Sequence, residues 1–366
     1  MGLSLRNITK RVDGINHLID LNLKLESGSR NVILGRTLAG KTSLLRIMAG
    51  LDRPTSGQIV LDGEDVTGIS VRKRSVAMVY QQFINYPSFS VFDNIASPLK
   101  VSGVPRPEIK DRVMDVARVL HLESMLDRLP AELSGGQQQR CAIARALVKD
   151  AQLLLLDEPL VNLDYKLREE LQEELQEVFS NRKAIVVYTT TEPGEALKLG
   201  GKIVIMDEGR ILQTGSTPHV YRNPGTLKVA EVFSDPPINY LSGKIKNGMA
   251  VIGKDLEVPS SAHLDELPEG DYTYGIRANH LFFKRQSPSD LEFSIRIDLS
   301  EINGSETFIH AHYQNFKLVT QEVGIHSIKM GSEIPIFVNP ARFFVYSNTG
   351  ILVKAPDSSA HAGTQE

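Results

Sequence analysis

The chain has 366 residues, with 41 Lys and Arg against 44 Asp and Glu and a single cysteine. Its length predicts two domains, each able to bury its own core. The net charge of -3 gives no general electrostatic footprint for nucleic acid, and Cys141 alone excludes an internal disulfide and suits a reducing compartment. The start, Met1-Gly2-Leu3-Ser4-Leu5-Arg6, lacks a signal peptide's basic and apolar regions, and Arg6 stands where a myristoylation site wants Ser or Thr. No run approaches ~18 consecutive apolar residues, so no spanning helix is predicted.

Residues 3–34 alternate apolar and polar, with turns at Asp13-Gly14 and Ser27-Gly28, and predict a short sheet leading into the strand Val32-Ile33-Leu34. That strand ends in Gly35-Arg36-Thr37-Leu38-Ala39-Gly40-Lys41-Thr42-Ser43, followed by an apolar helical segment, which is G-x-x-x-x-G-K-[ST] in its strand, loop, helix setting. Gly35 and Gly40 let the backbone curl around a polyphosphate so that its N–H groups and the positive helix end face the anion. Lys41 would then sit on the β- and γ-phosphates, and the Thr42 hydroxyl on Mg²⁺. This predicts nucleotide binding and leaves open which machine uses it.

A turn cluster at Gly50 to Gly57 precedes the strand-like Gln58 to Leu61, and Val76 to Tyr80 reads as a buried strand ending at Gln81. A glutamine there could orient water and ligate Mg²⁺; read alone, a plain surface residue is the better account. Ile109, Val113, Val116, Ala117 and Leu120 fall at helix spacing, so a helical subdomain is expected to be inserted into the nucleotide core. Ser134, in Leu133-Ser134-Gly135-Gly136-Gln137, can cap a helix starting near Gln137, and its two glycines leave N–H groups open to a phosphate. Cys141 follows within that helix, where a buried thiol is expected. Leu153 to Leu156 reads as a buried parallel strand delivering Asp157 and Glu158 at its C-terminal end, where α/β sheets place ligands. Asp157 suits the Mg²⁺ shell and Glu158 the activation of attacking water.

Taken together, Gly35 to Ser43, Gln81, Leu133 to Gln137, Leu156-Asp157-Glu158-Pro159 and Asn162-Leu163-Asp164 resemble the ATP-binding-cassette ATPases, over residues 1 to 235. The resemblance implies a head-to-tail dimer in which each ATP lies between one subunit's phosphate loop and the other's signature segment. Ser134, Gly135, Gly136 and Gln137 would then serve the partner's nucleotide, and Asn162, Leu163 and Asp164 would lie at the dimer contact. The implied fold is an α/β P-loop core with an N-terminal antiparallel β region and an inserted helical subdomain over about 84–150.

Beyond Asp235-Pro236-Pro237 the pattern turns to short strands such as Phe293 to Leu299, Thr307 to Tyr313 and Glu333 to Val338. Gly275 to His280, Glu301 to Glu306 and Val345 to Gly350 are similar to the small β-rich, OB-like C-terminal domain of maltose- and glycerol-phosphate-type importer ATPases, placed here at 236–355. His310 and His312 would share a strand face, read as surface or packing residues. Residues 356–366 read as a disordered tail.

Three departures from the family pattern stand out. Thr191, after a strand read over Ala184 to Val187, stands where a histidine meets the γ-phosphate, Val12 where an aromatic ring stacks on adenine, and Thr37-Leu38 where Ser-Gly is usual. Binding should survive, but hydrolysis at this chain's own site is in question. The expectation is an ATPase subunit, ATP- and Mg²⁺-dependent, driving import of a small polyol or sugar-like solute. It would sit peripherally at the cytoplasmic face of the inner membrane through two permease subunits docked near Phe83 to Phe92, with a solute-binding protein as an indirect partner. Thr190-Thr191-Glu192-Pro193 and Val161 to Lys166 most resemble one of two unlike ATPases of bacterial glycerol importers. Pairing with an unlike cassette is therefore expected, with self-pairing as the alternative. A nucleotide-dependent clamp that hydrolyses negligibly is the competing function; action on nucleic acid is disfavoured.

Overall fold

The computed structural model describes residues 2–161, 163–180, 182–258, 264 and 267–356. The chain forms two compact units, residues 1–217 and 218–366.

The first unit opens with β1 (Gly2–Val12) and β2 (Ile15–Glu26), then β3 (Arg30–Gly35), α1 (Lys41–Ala49), β4 (Ser56–Leu61), β5 (Glu64–Asp65) and β6 (Val76–Val79). Three helices follow, α2 (Val91–Val101), α3 (Arg106–Val119) and α4 (Gly135–Leu147). The chain then returns through β7 (Leu153–Asp157), α5 (Tyr165–Ser180), β8 (Ile185–Thr190), α6 (Pro193–Leu199), β9 (Lys202–Asp207) and β10 (Arg210–Ser216).

Alternation decides the first sheet, in which β2, β1, β4 and β5 are ordered antiparallel neighbours. Leu3, Leu5, Leu21, Leu23 and Leu25 face inward onto the same core as α1, which contributes Leu44, Leu45, Ile47 and Met48. The second sheet runs β10-β9-β3-β8-β7-β6, parallel from β9 to β6. Its inner strands are buried along their length, as the unbroken apolar runs require of a sheet covered on both faces. The register sets Leu34 beside Thr190, Asp157 beside Thr189 and Val79 beside Leu156, so four strands end along one edge. The phosphate loop leaves β3 at that edge.

Helices α2, α3 and α4 fall between β6 and β7, as the inserted helical subdomain predicted. Ile109, Val113 and Ala117 are the buried stripe of α3. Cys141 is fully buried in α4, and burial pushes its thiol up to about 11, so it packs as an apolar residue.

The second unit carries two short helices, α7 (Thr217–Arg222) and α8 (Leu227–Val232), and antiparallel strands in two sheets. One contains β11 (Asn239–Lys246), β12 (Met249–Ile252), β13 (Leu256–Val258), β14 (Gly270–Ile276), and two strands at Phe344–Ser347 and Leu352–Lys354. The other contains strands Leu281–Phe282, Leu291–Asn303, Glu306–Tyr313, Phe316–Val323 and Glu333–Val338. Inward residues of both sheets, including Leu241, Tyr274, Ile295, Ile309 and Ile336, share one core. The buried Asn239 side chain joins the sheets: its Nδ2 donates to Val319 O at 2.8 Å and its Oδ1 accepts from the Val319 N–H at 2.6 Å. The arrangement is a nearly closed, OB-like barrel.

His310 and His312 lie two apart on Glu306–Tyr313. His312 Nδ1 meets Asp298, and His310 Nε2 stands 3.8 Å from Glu301 Oε2. Residues 357–366, the greater part of the expected tail, lie outside the described residues.

Candidate nucleotide site

The loop begins where Gly35 ends β3; a Cβ there would meet Met206 O at 2.5 Å. Gly40 has φ +97°, and a Cβ on it would come within 2.7 Å of His17 O, so both positions require glycine. Gly40 caps α1 without a side-chain hydrogen bond, which leaves the first-turn N–H groups to an anion rather than to the protein.

Lys41 opens that helix with its side chain 4% exposed, and its Nζ donates to Gly35 O at 2.8 Å and Arg36 O at 3.0 Å. The same Nζ lies 3.0 Å from Glu158 Oε1. The Thr42 hydroxyl donates to Asp157 Oδ1 at 3.1 Å. Burial raises the Asp157 carboxyl above the ordinary carboxylate range, against hydrogen bonds from Thr42 and Thr189. A hydroxyl and a carboxylate side by side are hard oxygen donors of the kind that hold Mg²⁺ with a nucleotide's phosphates, and the lysine beside them suits the phosphates. The residues present therefore fit ATP with Mg²⁺.

Leu38 stands at the loop's tip, 93% exposed and at φ +68°, a left-handed conformation that glycine adopts without strain. Leu38→Gly is expected to stabilise the fold by about 0.5–1 kcal/mol, after allowing for glycine's greater freedom in the unfolded chain, and to tighten ATP binding a few-fold. Thermal unfolding and nucleotide titration measure both. Unchanged binding would mean that the loop's strain does not burden the site.

The remaining expected residues divide. Ser43 Oγ lies 3.4 Å from His17 Nδ1, a neighbour that no sequence signal pointed to. Val12 closes the β1–β2 hairpin beside Asp13-Gly14, 38% exposed. Gln81 is exposed in the loop two residues beyond β6, at the rim of the sheet edge.

The signature segment is a capping box: Ser134 Oγ accepts from Gln137 N at 3.3 Å and Gln137 Oε1 from Ser134 N at 3.0 Å. The helix it starts, α4, begins at Gly135, two residues earlier than the sequence indicated. A Cβ on Gly136 would fall 2.1 Å from Leu167 Cδ2, so the glycine admits α5. Leu163 packs beside it, 8% exposed, and Asp164 Oδ1 accepts the Leu167 N–H at 3.0 Å at the start of α5. Asn162 lies outside the described residues.

β8 runs on through Thr190, beyond the Ala184 to Val187 stretch read as strand. Thr191 follows it, partly buried, bordering a small cavity with Glu158, Val161, Thr190, Glu192 and Glu195. Arg168 pairs with Glu192 and donates to Leu163 O at 3.3 Å, so it joins the turn after Thr191 to the chain beside Asp164.

Glu195 is 7% exposed and accepts from Thr190 Oγ1 at 2.6 Å and Tyr188 Oη at 3.2 Å. Burial raises its carboxyl and Glu192 adds to this, against the two hydroxyls and Arg168. Because the folded value lies above the ordinary one, this group's contribution to stability is full below the ordinary carboxyl range. It is lost as pH rises through the raised value. Glu195→Gln keeps an oxygen for both hydroxyls. It should match the parent's unfolding temperature at about pH 4 and exceed it by roughly 1–3 °C at about pH 8. A variant less stable at both would show that the carboxylate is held charged.

Comparison with known proteins places these features. The ABC transporter family model matches residues 18–161. An sn-glycerol-3-phosphate import ATP-binding protein of Yersinia enterocolitica is 35% identical over 96% of this chain and 99% of its own length. Its counterpart in Escherichia coli K12 is 36% identical over 87% of this chain and 90% of its own. Among solved structures, a dimeric bacterial ABC transporter cassette aligns with TM-score 0.54 and 28% identity over 59% of this chain and 98% of its own. A dimeric ATP-binding cassette in a post-hydrolysis state with ADP and Pi aligns with TM-score 0.53, also at 28% identity, over 59% and 98%. With relatives alike over 90% or more of their own length and a phosphate loop, paired acidic residues and capping box set as above, the chain belongs to the ABC transporter family, as an ATPase of the importer type.

Proposed function

We propose that this chain binds ATP with Mg²⁺ and hydrolyses it to energise import of a small polyol or sugar-like solute, glycerol or its phosphate being the closest chemistry among its relatives' names. The observation that carries this is the meeting of Lys41, Thr42, Asp157 and Glu158 at one sheet edge. Lys41, turned toward Glu158 here, would swing to the β- and γ-phosphates; the Gly35 to Ser43 backbone would hold them. Thr42 and Asp157, with Gln81 at the rim, would hold Mg²⁺, which when bound neutralises phosphate charge. Glu158, released from Lys41, would accept a proton from the attacking water.

Ser134 to Gln137 would complete a partner cassette's site, and Leu163 and Asp164 would lie at that contact, in a dimer with an unlike cassette. The segment Phe83 to Phe92 supports permease docking. Ile84, Tyr86 and Phe89 are 58%, 48% and 44% exposed, yet the backbone that displays them is fixed. Asn94 accepts from Tyr86 N at 2.8 Å and donates to Tyr86 O and Phe89 O at 3.0 Å, and Arg145 lies 4.9 Å over the Tyr86 ring. Docking there would place the chain at the cytoplasmic face of the inner membrane; among the described residues no helix is long and apolar enough to cross it.

Thr191 in the cavity beside Glu158 favours a second reading, a clamp that closes on ATP and hydrolyses it negligibly. Steady-state hydrolysis and nucleotide binding by the purified chain separate the two. Mg²⁺-dependent turnover supports the enzyme, binding without turnover the clamp, and failure to bind ATP overturns both.

A further inference from the structure

Thr189, Thr190 and Thr191 stand in a row at the C-terminal end of β8. The pleat sends Thr190 to the opposite side from Thr189, and its hydroxyl is used there, donating to Glu195 and accepting the Glu192 N–H at 3.0 Å. Thr189 is fully buried, and its hydroxyl makes contacts that packing alone does not call for. It accepts the Glu158 N–H at 3.0 Å and lies 3.0 Å from Asp157 Oδ1 and 3.4 Å from Leu156 O. A hydroxyl has one proton to give, and the carboxylate oxygen is the nearer acceptor.

The corner it touches is under strain. Glu158 has φ +44°, which costs a residue with a Cβ on the order of 1 kcal/mol or more. Its N–H comes just after β7 has ended, so the strand ladder no longer supplies an acceptor, and a buried N–H without one is expensive. Thr189 supplies that acceptor while giving its proton to the neighbouring residue's carboxylate. Asp157 Oδ1 thus receives two hydroxyls, Thr42 at 3.1 Å and Thr189 at 3.0 Å.

We propose that Thr189 is a positioning residue: its hydroxyl holds the Asp157–Glu158 corner in the left-handed turn that presents Asp157 to Thr42 and Glu158 to Lys41, and so sets how well the site takes Mg²⁺ with ATP. This rests on Asp157 and Thr42 holding Mg²⁺, as proposed above. Valine has nearly the shape of threonine; in its place the Glu158 N–H loses its acceptor and Asp157 one of its donors, with little change in volume.

The test is titration of the full-length chain with a fluorescent ATP analogue, once in excess Mg²⁺ and once in EDTA, for the parent, Thr189→Val and Thr189→Ser. In Thr189→Val the EDTA affinity should stay within about twofold while the Mg²⁺ concentration at half-saturation rises about tenfold, the scale on which partners that orient metal ligands act. Thr189→Ser should restore the parent's Mg²⁺ response. Should the valine variant fold poorly, Thr189→Ala against Thr189→Ser, which differ by the hydroxyl alone, makes the same comparison. An unchanged Mg²⁺ response without the hydroxyl, or equal weakening in Mg²⁺ and EDTA that serine does not repair, would overturn the proposal. A parent chain that binds the analogue with no Mg²⁺-dependent gain would overturn the underlying Mg²⁺ assignment instead, and shows itself without any variant.

Discussion

Glu158→Gln is expected to lower ATP turnover by on the order of 10²–10³-fold while tightening ATP binding several-fold. The two effects have separate causes. Turnover falls because the amide cannot take a proton from water. Binding tightens because the Lys41 ammonium, 3.0 Å from Glu158 Oε1 with both side chains largely withdrawn from water, must leave that carboxylate before it can reach a phosphate. A neutral partner holds it less strongly, and one negative charge facing an incoming polyphosphate is gone. Turnover measured beside equilibrium binding of a fluorescent nucleotide separates these effects. Retained turnover would place the base elsewhere; lost binding would make Glu158 a part of the scaffold.

The phosphate loop was legible because its spacing is a backbone requirement. Gly35 and Gly40 sit where a Cβ would strike Met206 O or His17 O, and that demand is written in the sequence as two glycines five apart. The same holds for Ser134 and Gln137, whose reciprocal bonds span three residues. The apolar run into Asp157 identified a strand buried on both faces, and short alternations identified the strands of the second unit. What could not be read depends on pairings distant in sequence. The Thr189 hydroxyl reaches a backbone N–H 31 residues away, and Arg168 an acid 24 residues away. A run of three threonines reads the same whether its hydroxyls face a helix, a carboxylate or water. The extra length of β8 was hidden for a related reason. Hydroxyl-bearing residues after an apolar run read as its end, but Tyr188, Thr189 and Thr190 find partners inside the fold and so can be buried as strand.

Thr191→His is expected to raise the chain's own turnover by about tenfold or more. A preorganised donor beside developing phosphoryl charge is worth about 2–4 kcal/mol when it is removed from such sites, so tenfold is a cautious share of what an imidazole supplies. The position suits the exchange. Thr191 follows the last residue of β8, only partly buried, and borders the same small cavity as Glu158, so a longer side chain there starts beside an acid that can orient it. Threonine can place a hydroxyl or a water there, but it cannot carry a positive charge toward the phosphate. Steady-state hydrolysis by the two proteins, with the Glu158→Gln background as the blank, decides the matter. A gain abolished in that background identifies the missing imidazole as what slows this site, and directs the search to an unlike cassette whose site this chain's Ser134 to Gln137 completes. Equal and robust turnover in both would show that threonine serves well enough, and two copies of the chain would then make a working pair.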